Sequence, residues 1–185
     1  MSLKLQSGGT NNDEAKVGTD GRLWTDGSDV SRIAAVGAAT QRSFGVTSLD
    51  AGVVAGEYQL YIKNDDTTRD LVISSLIVGS DVTIVSKLSR VTGTGGGASA
   101  AVVENLTVGS NVTASATILG NAAVTGLTPT GDLGILRTGA GVSGALAQPD
   151  SIRLTNGEAI AVENDVTAGG HGTISCEFYF EAPAS

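Results

Sequence analysis

Residues 173–181 read TISCEFYFE and alternate without a break. Ile174, Cys176, Phe178 and Phe180 fall on one side of an extended chain, with Ser175, Glu177, Tyr179 and Glu181 on the other. A period of two is that of a β-strand with one buried face, whereas a helix would scatter these side chains around its axis. The pattern returns where Tyr58, Leu60 and Ile62 alternate with Gln59, Tyr61 and Lys63. Leu71–Val78 and the β-branched run Thr83–Val91 read as further strands. The segment TGTGGGASA (92–100) is expected to break the chain, which resumes over Ala101–Leu106 and alternates again over Thr113–Leu119. A short run at Leu133–Leu136 precedes an expected Gly-rich loop over 138–149. Ile152 and Leu154, then Asn156-Gly157, then Ile160 and Val162 predict a hairpin closed by a type I′ turn.

A chain of 185 residues suits one domain with a sizeable core. Its 26 glycines and abundance of Ser, Thr and Asn favour tight turns and short strands over long helices. The expected fold is therefore all-β, a β-sandwich of about 8–10 short antiparallel strands, and among sandwiches a jelly roll. No repeat of fixed period points to a propeller or solenoid. Residues 1–20 are polar, with only Leu3, Leu5 and Val17 to anchor them, and read as an extended N-terminal arm; 21–185 read as the sandwich domain. Asp-Gly pairs at 20–21 and 26–27 bracket a short strand, Arg22–Thr25, that carries Trp24. Over 30–44 the spacing leaves helix and strand both open.

Charge narrows the function. Lys and Arg number 11 against 19 acids, a net of −8, and such a surface repels phosphate backbones. Nucleic acid is therefore not expected as a partner. Neither is a membrane, since no stretch reaches the ~20 apolar residues of a span, and the N-terminus carries no apolar signal segment. The expected site of synthesis is a cytosol, and the Asn-x-Thr triplets at Asn105 and Asn111 read as chance matches.

Chemical motifs are sparse. GAGVSG (139–144) matches the dinucleotide fingerprint, but Pro149 arrives before a helix could receive a pyrophosphate. The glycines at 93–97 lack the Lys-Ser/Thr of a P-loop. The lone His171 sits among glycines, a context expected to leave its ring unheld, and Cys176 lies on the apolar face of a strand. Asp20, Asp26 and Asp29 come near a calcium loop but miss its spacing, and Asp65, Asp66 and Asp70, with Arg69 beside them, could flank a calcium ion at a loop tip. The competing reading is a solvated turn in which Asn64 and Asp65 satisfy backbone amides and Arg69 balances charge. The sequence thus assigns no catalytic, cofactor-binding or metal-ligating residue.

The segment Tyr58–Val78 runs from a YIKN strand end through the acidic tip to a DLVISSLIV return. With the polar lead-in, the Ser/Thr/Ala/Gly-rich strands and the closing SCEFYFE strand, it resembles the small β-rich virion proteins of tailed bacteriophages, in style over roughly residues 20–181. That resemblance implies a non-enzymatic capsid decoration or cement protein, a homotrimer bound to the major capsid protein on the virion surface and made in the host cytoplasm. The alternative it leaves is a receptor- or glycan-binding module of a head or tail fibre.

Overall fold

The structure, a computed structural model, describes residues 16–17, 23–24, 36–37, 40–53, 56–147, 151–165 and 170–183. The chain divides into two units, Met1–Ser31 and Arg32–Ser185. In the first, β1 (Lys16–Val17) pairs antiparallel with β2 (Leu23–Trp24), so the strand expected around Trp24 is present. The rest of the expected N-terminal arm lies outside the described residues.

The second unit is an all-β sandwich of two antiparallel sheets. Its strands are β3 (Ser43–Val53), β4 (Glu57–Asn64), β5 (Asp70–Ser80), β6 (Ile84–Gly96), β7 (Ser99–Ala100), β8 (Val103–Asn105), β9 (Ala116–Thr138), β10 (Val142–Ala147), β11 (Ile152–Leu154), β12 (Ala159–Asp165) and β13 (Gly170–Glu181). One sheet runs β10-β5-β13-β3-β8, with β11 beside β10 on the same edge of β5. The other runs β4-β12-β6-β9-β7.

The core between the sheets follows the alternation seen in the sequence. Ile174, Cys176, Phe178 and Phe180 of β13 meet Leu60 and Ile62 of β4 and Ile160 and Val162 of β12 in one buried cluster. All three phenylalanines of the chain pack together at one end. Phe44 stacks on Phe178 at 5.5 Å, and Phe180 meets both edge-on. Each such pair adds about 0.5–1.5 kcal/mol beyond its burial. Further along β3 the core turns polar: the Ser48 hydroxyl donates to the Gln59 carbonyl (2.9 Å) and accepts from the Asn121 amide (2.8 Å). Asn164 donates to Gln59 and accepts from Ser86. The Ser48 bonds tie β3 of one sheet to β4 and β9 of the other, and the Asn164 bonds link β12 to β4 and β6 beside them.

Three sequence expectations are corrected, and one strand is new. β3 had no forecast, because Ser48 faces inward and Leu49 outward and so blurs its alternation. Ile152 and Leu154 do not form a hairpin with Ile160 and Val162: β11 pairs with β5 and β12 with β4 and β6, in different sheets. At Asn156-Gly157 only Gly157 has positive φ (82°), and the Glu158 amide returns to the Thr155 carbonyl at 3.0 Å. That is a type II turn, whose twist splays strands apart instead of pairing them. Residues 142–147 of the expected loop form β10. Finally, 92–100 does not interrupt the sheet, since β6 continues through Gly96 and β7 follows at once.

The ambiguous stretch 30–44 holds a helical turn among its described residues. The Gln41 amide donates to the Gly37 carbonyl at 2.9 Å, and Gln41 itself adopts φ 56°, the left-handed cap more often given to glycine. Val36 of this turn covers Val72 and Tyr179 on the outer face of the first sheet.

Glycine at 92–100 serves a bend. β9 runs 23 residues and changes partner midway: Ala116–Val124 flanks β4, then Thr125–Thr138 flanks β6. The pairings β4–β12, β12–β6, β6–β9 and β9–β4 thus close into a ring. The faces turned away from the main core meet in a second cluster of Tyr61, Val91, Val124, Ala159 and Ala161. A Cβ on Gly93 (φ 106°) would stand 2.3 Å from the Gly126 carbonyl oxygen, so only glycine fits this corner. We expect Gly93→Ala to cost about 2–4 kcal/mol in urea unfolding. Gly131→Ala, with nothing within 4 Å, should stay within about 0.5 kcal/mol of wild type.

Candidate functional site

The acidic tip joins β4 to β5, and its centre is a fully buried asparagine. The Asn64 side-chain amide donates to the carbonyls of Arg69 (2.9 Å) and Leu154 (2.9 Å), and its carbonyl accepts from the Asp66 amide (2.9 Å). The β11–β12 turn packs on the tip from the other side. There the Gly157 amide donates to the Asn64 carbonyl at 2.8 Å and the Asn156 side chain to the Asp66 carbonyl at 3.0 Å. Two turns some 90 residues apart are thereby knitted together.

The three carboxylates part company. Asp65 meets the Lys63 ammonium at 2.8 Å and accepts from the Thr117 hydroxyl at 2.6 Å. Asp66 turns back on its own loop, accepting from the Thr68 amide and hydroxyl, both at 2.8 Å, with the Arg69 guanidinium at 3.5 Å. Asp70 faces Arg153 at 3.1 Å, and Arg153 also holds Glu181 near the end of β13. The solvated turn expected here is corrected: Asp66 and Asp70 are only 7% and 4% exposed, Asp66 beneath the β11–β12 turn and Asp70 against Arg153 and the end of β13. The amide-satisfying pair is Asn64 and Asp66, not Asn64 and Asp65. Among the described residues, no three His, Cys, Asp or Glu side chains gather as a metal site needs.

Local bonds set the titration of the tip. Burial pushes the Asp66 carboxyl up, but the Thr68 amide and hydroxyl and the Arg69 charge outweigh it and hold the group below the usual carboxylate value. Asp65 behaves alike, with burial opposed by Lys63 and Thr117.

His171 is held more firmly than its glycine neighbours suggest, which corrects the sequence expectation. Its amide donates to Asp81 Oδ1 at 2.6 Å, and its ring Nδ1 lies 2.8 Å from Asp81 Oδ2. Hydrogen bonds from the His171 ring and amide hold the Asp81 carboxyl low. The Ser80 hydroxyl is spent on the His171 carbonyl (2.8 Å) instead of the ring, so this corner ties β13 to the β5–β6 turn without forming a nucleophile–base pair. Cys176 is fully enclosed and burial pushes its thiol well up, the opposite of an activated nucleophile. Gly139, Ala140 and Gly141 of the fingerprint-like GAGVSG form a turn that leads into β10 instead of a helix, so it offers no helix N-terminus to a phosphate.

One feature was not legible in the sequence. Between β8 and the chain leading into β9 opens a cleft of about 600 Å³, floored by Phe44, Val103, Val112 and Ala114. Among the described residues its one charged lining side chain is Glu104, and hydroxyls and amides of Thr107, Ser110 and Asn111 edge it. Such a surface can bind a neutral or cationic group but brings no acid–base pair or nucleophile to it. Comparisons with protein-family models, curated proteins and solved structures return no match.

Asn64→Ala strands two carbonyls and an amide, and we expect a loss of about 2–4 kcal/mol by urea unfolding. The pH dependence follows from the depressed carboxyls. A group whose folded pKa lies below its unfolded value stabilises above the unfolded pKa and loses that contribution as pH falls through the folded one. Stability should therefore hold from neutrality to about pH 5 and decline below about pH 4. The decline should be shallower in Asp66→Asn, read from urea midpoints across the pH series.

Proposed function

We propose that this chain is a non-enzymatic structural protein of a tailed-phage virion, a capsid decoration or cement protein that assembles as a homotrimer. The observation that carries the reading is the strand order. Eight strands, β3, β4, β5, β6, β9, β10, β12 and β13, fall into sheet orders β3-β13-β5-β10 and β4-β12-β6-β9. The chain changes sheet at every step between them except from β6 to β9. That interleaving supports a jelly roll, an architecture used by capsid proteins among others. The reading also draws on the resemblance of Tyr58–Val78 and the SCEFYFE strand to phage virion proteins.

The chemistry of the acid tip, Cys176 and His171 is consistent with a part that binds instead of reacting, because each is taken up in holding the fold. A decoration protein acts by adding contacts that exist only in the assembled shell, and so shifts the equilibrium toward the intact particle. The polar N-terminal residues suit attachment by ordering on a neighbour. The cleft beside β8 favours a second reading, a receptor- or glycan-binding module of a fibre.

The test is a binding assay with purified capsids that lack the protein. The full chain should bind and raise the temperature at which the shell opens, and deletion of residues 2–16 should lower occupancy. Unchanged occupancy of the deletion variant would remove the arm from the proposal. Failure of the full chain to bind, together with specific capture on a glycan array, would move the assignment to the fibre module.

A further inference from the structure

The outer face of the first sheet carries a band with no charge. Strand register places Ser143 of β10, Gly79 of β5, Thr173 of β13 and Leu49 of β3 in one row. Ala145, Ile77, Ser175 and Thr47 form the next row on the same strands. None of the eight is ionisable, although the chain carries a net charge of −8. Two are large and aliphatic and stand open to solvent: Leu49 is 54% and Ile77 41% exposed. Charged groups border the band on both sides along the strands. Glu177 and Glu104 flank Gly45 in the row beyond Thr47, and the His171–Asp81 pair lies beyond Thr173. Toward its Glu177 end the same face is already covered, where Val36 packs on Val72 and Tyr179.

We infer that this band is a self-association surface and that its occupant is a second copy of this chain. The argument is electrostatic first. Copies of an acidic protein repel one another and stay apart unless they meet through a region that brings no carboxylate against carboxylate. Here a four-strand patch supplies that region, with its acids displaced to the margin. Shape adds to it. Leu49 and Ile77 project diagonally across β13, so the band offers two exposed aliphatic knobs set among small Gly, Ala, Ser and Thr positions to an identical partner. Sheet faces of this kind pack about 10 Å apart with interleaved side chains. Eight residues make the centre of an interface and the bordering charges its rim. The inference rests on the self-association in the proposed function and names the face responsible.

Sedimentation equilibrium of the full chain tests it. Wild type should self-associate, and Leu49→Glu and Ile77→Glu should each weaken association by about 30-fold or more, as loss of an interface hot spot does. Thr47→Glu serves as a second, smaller intrusion of charge. Ile135→Glu, at a 65% exposed position on β9 of the other sheet, should leave association unchanged. Because all four positions are exposed, far-UV circular dichroism and urea midpoints should match wild type. A monomeric wild type, or band variants that associate as wild type does, would overturn the inference. Capsid binding is scored separately: a protein that associates through this band yet ignores capsids keeps the inference and loses the virion reading.

Discussion

The second sheet depends on β9 changing partner between Val124 and Thr125. A strand that stayed with β6 along its whole length would leave β4 as an open edge, a row of unpaired amides and carbonyls available to other chains. By crossing to β4, β9 pairs that edge, and the outer faces of β4, β6 and β12 gain a core of their own around Tyr61. The cost is steric and local. Gly93 and Gly126 bring backbone to backbone, and Ala159 and Ala161 keep the interior small enough for four strands to surround it. Composition and topology meet here: the glycine content that resembles loop sequence is what lets a ladder curl without breaking.

Much of the fold was legible because burial obeys the period of two. The core face of β13 fell as alternation predicts, as did Leu60 and Ile62 of β4, but a bulge at Gln59 turns Tyr58 away from them to join Tyr61 in the second cluster; the all-β sandwich followed from strand count and turn chemistry. What escaped the sequence did so for physical reasons. β3 inverts its polarity at Ser48 and Leu49, since Ser48 is bonded to Gln59 inside the core. Asn-Gly forecasts a turn correctly but not its type, and type alone decides whether the flanking strands pair or part. Glycines at 92–97 and 139–144 carry no mark that tells a strand able to bend from a loop.

The acid tip shows the same limit on the side of chemistry. From sequence, Asp65, Asp66 and Asp70 are three equivalent carboxylates beside an arginine. Asp66 finds Thr68 and Arg69 beside it, but Thr117, which meets Asp65, Arg153, which meets Asp70, and Asn156, which caps Asp66, all lie far along the chain. No local pattern encodes those meetings. Burial with satisfied bonds makes the acids structural, and the uncharged Asn64 carries as many side-chain hydrogen bonds as Asp66 does.

The grip of Asn64 on the β11–β12 turn also bears on chemical ageing. An asparagine followed by glycine deamidates when the next residue's amide nitrogen attacks the side-chain carbonyl and expels ammonia, since glycine offers no steric hindrance. In this protein the Gly157 nitrogen is committed through its proton to the Asn64 carbonyl, and the Asn156 side chain is held away on the Asp66 carbonyl. Both reacting groups are engaged elsewhere while the turn stays docked. The lifetime of the covalent structure at this point is therefore tied to the lifetime of the fold: each opening of the turn exposes the bond to a reaction that refolding cannot undo.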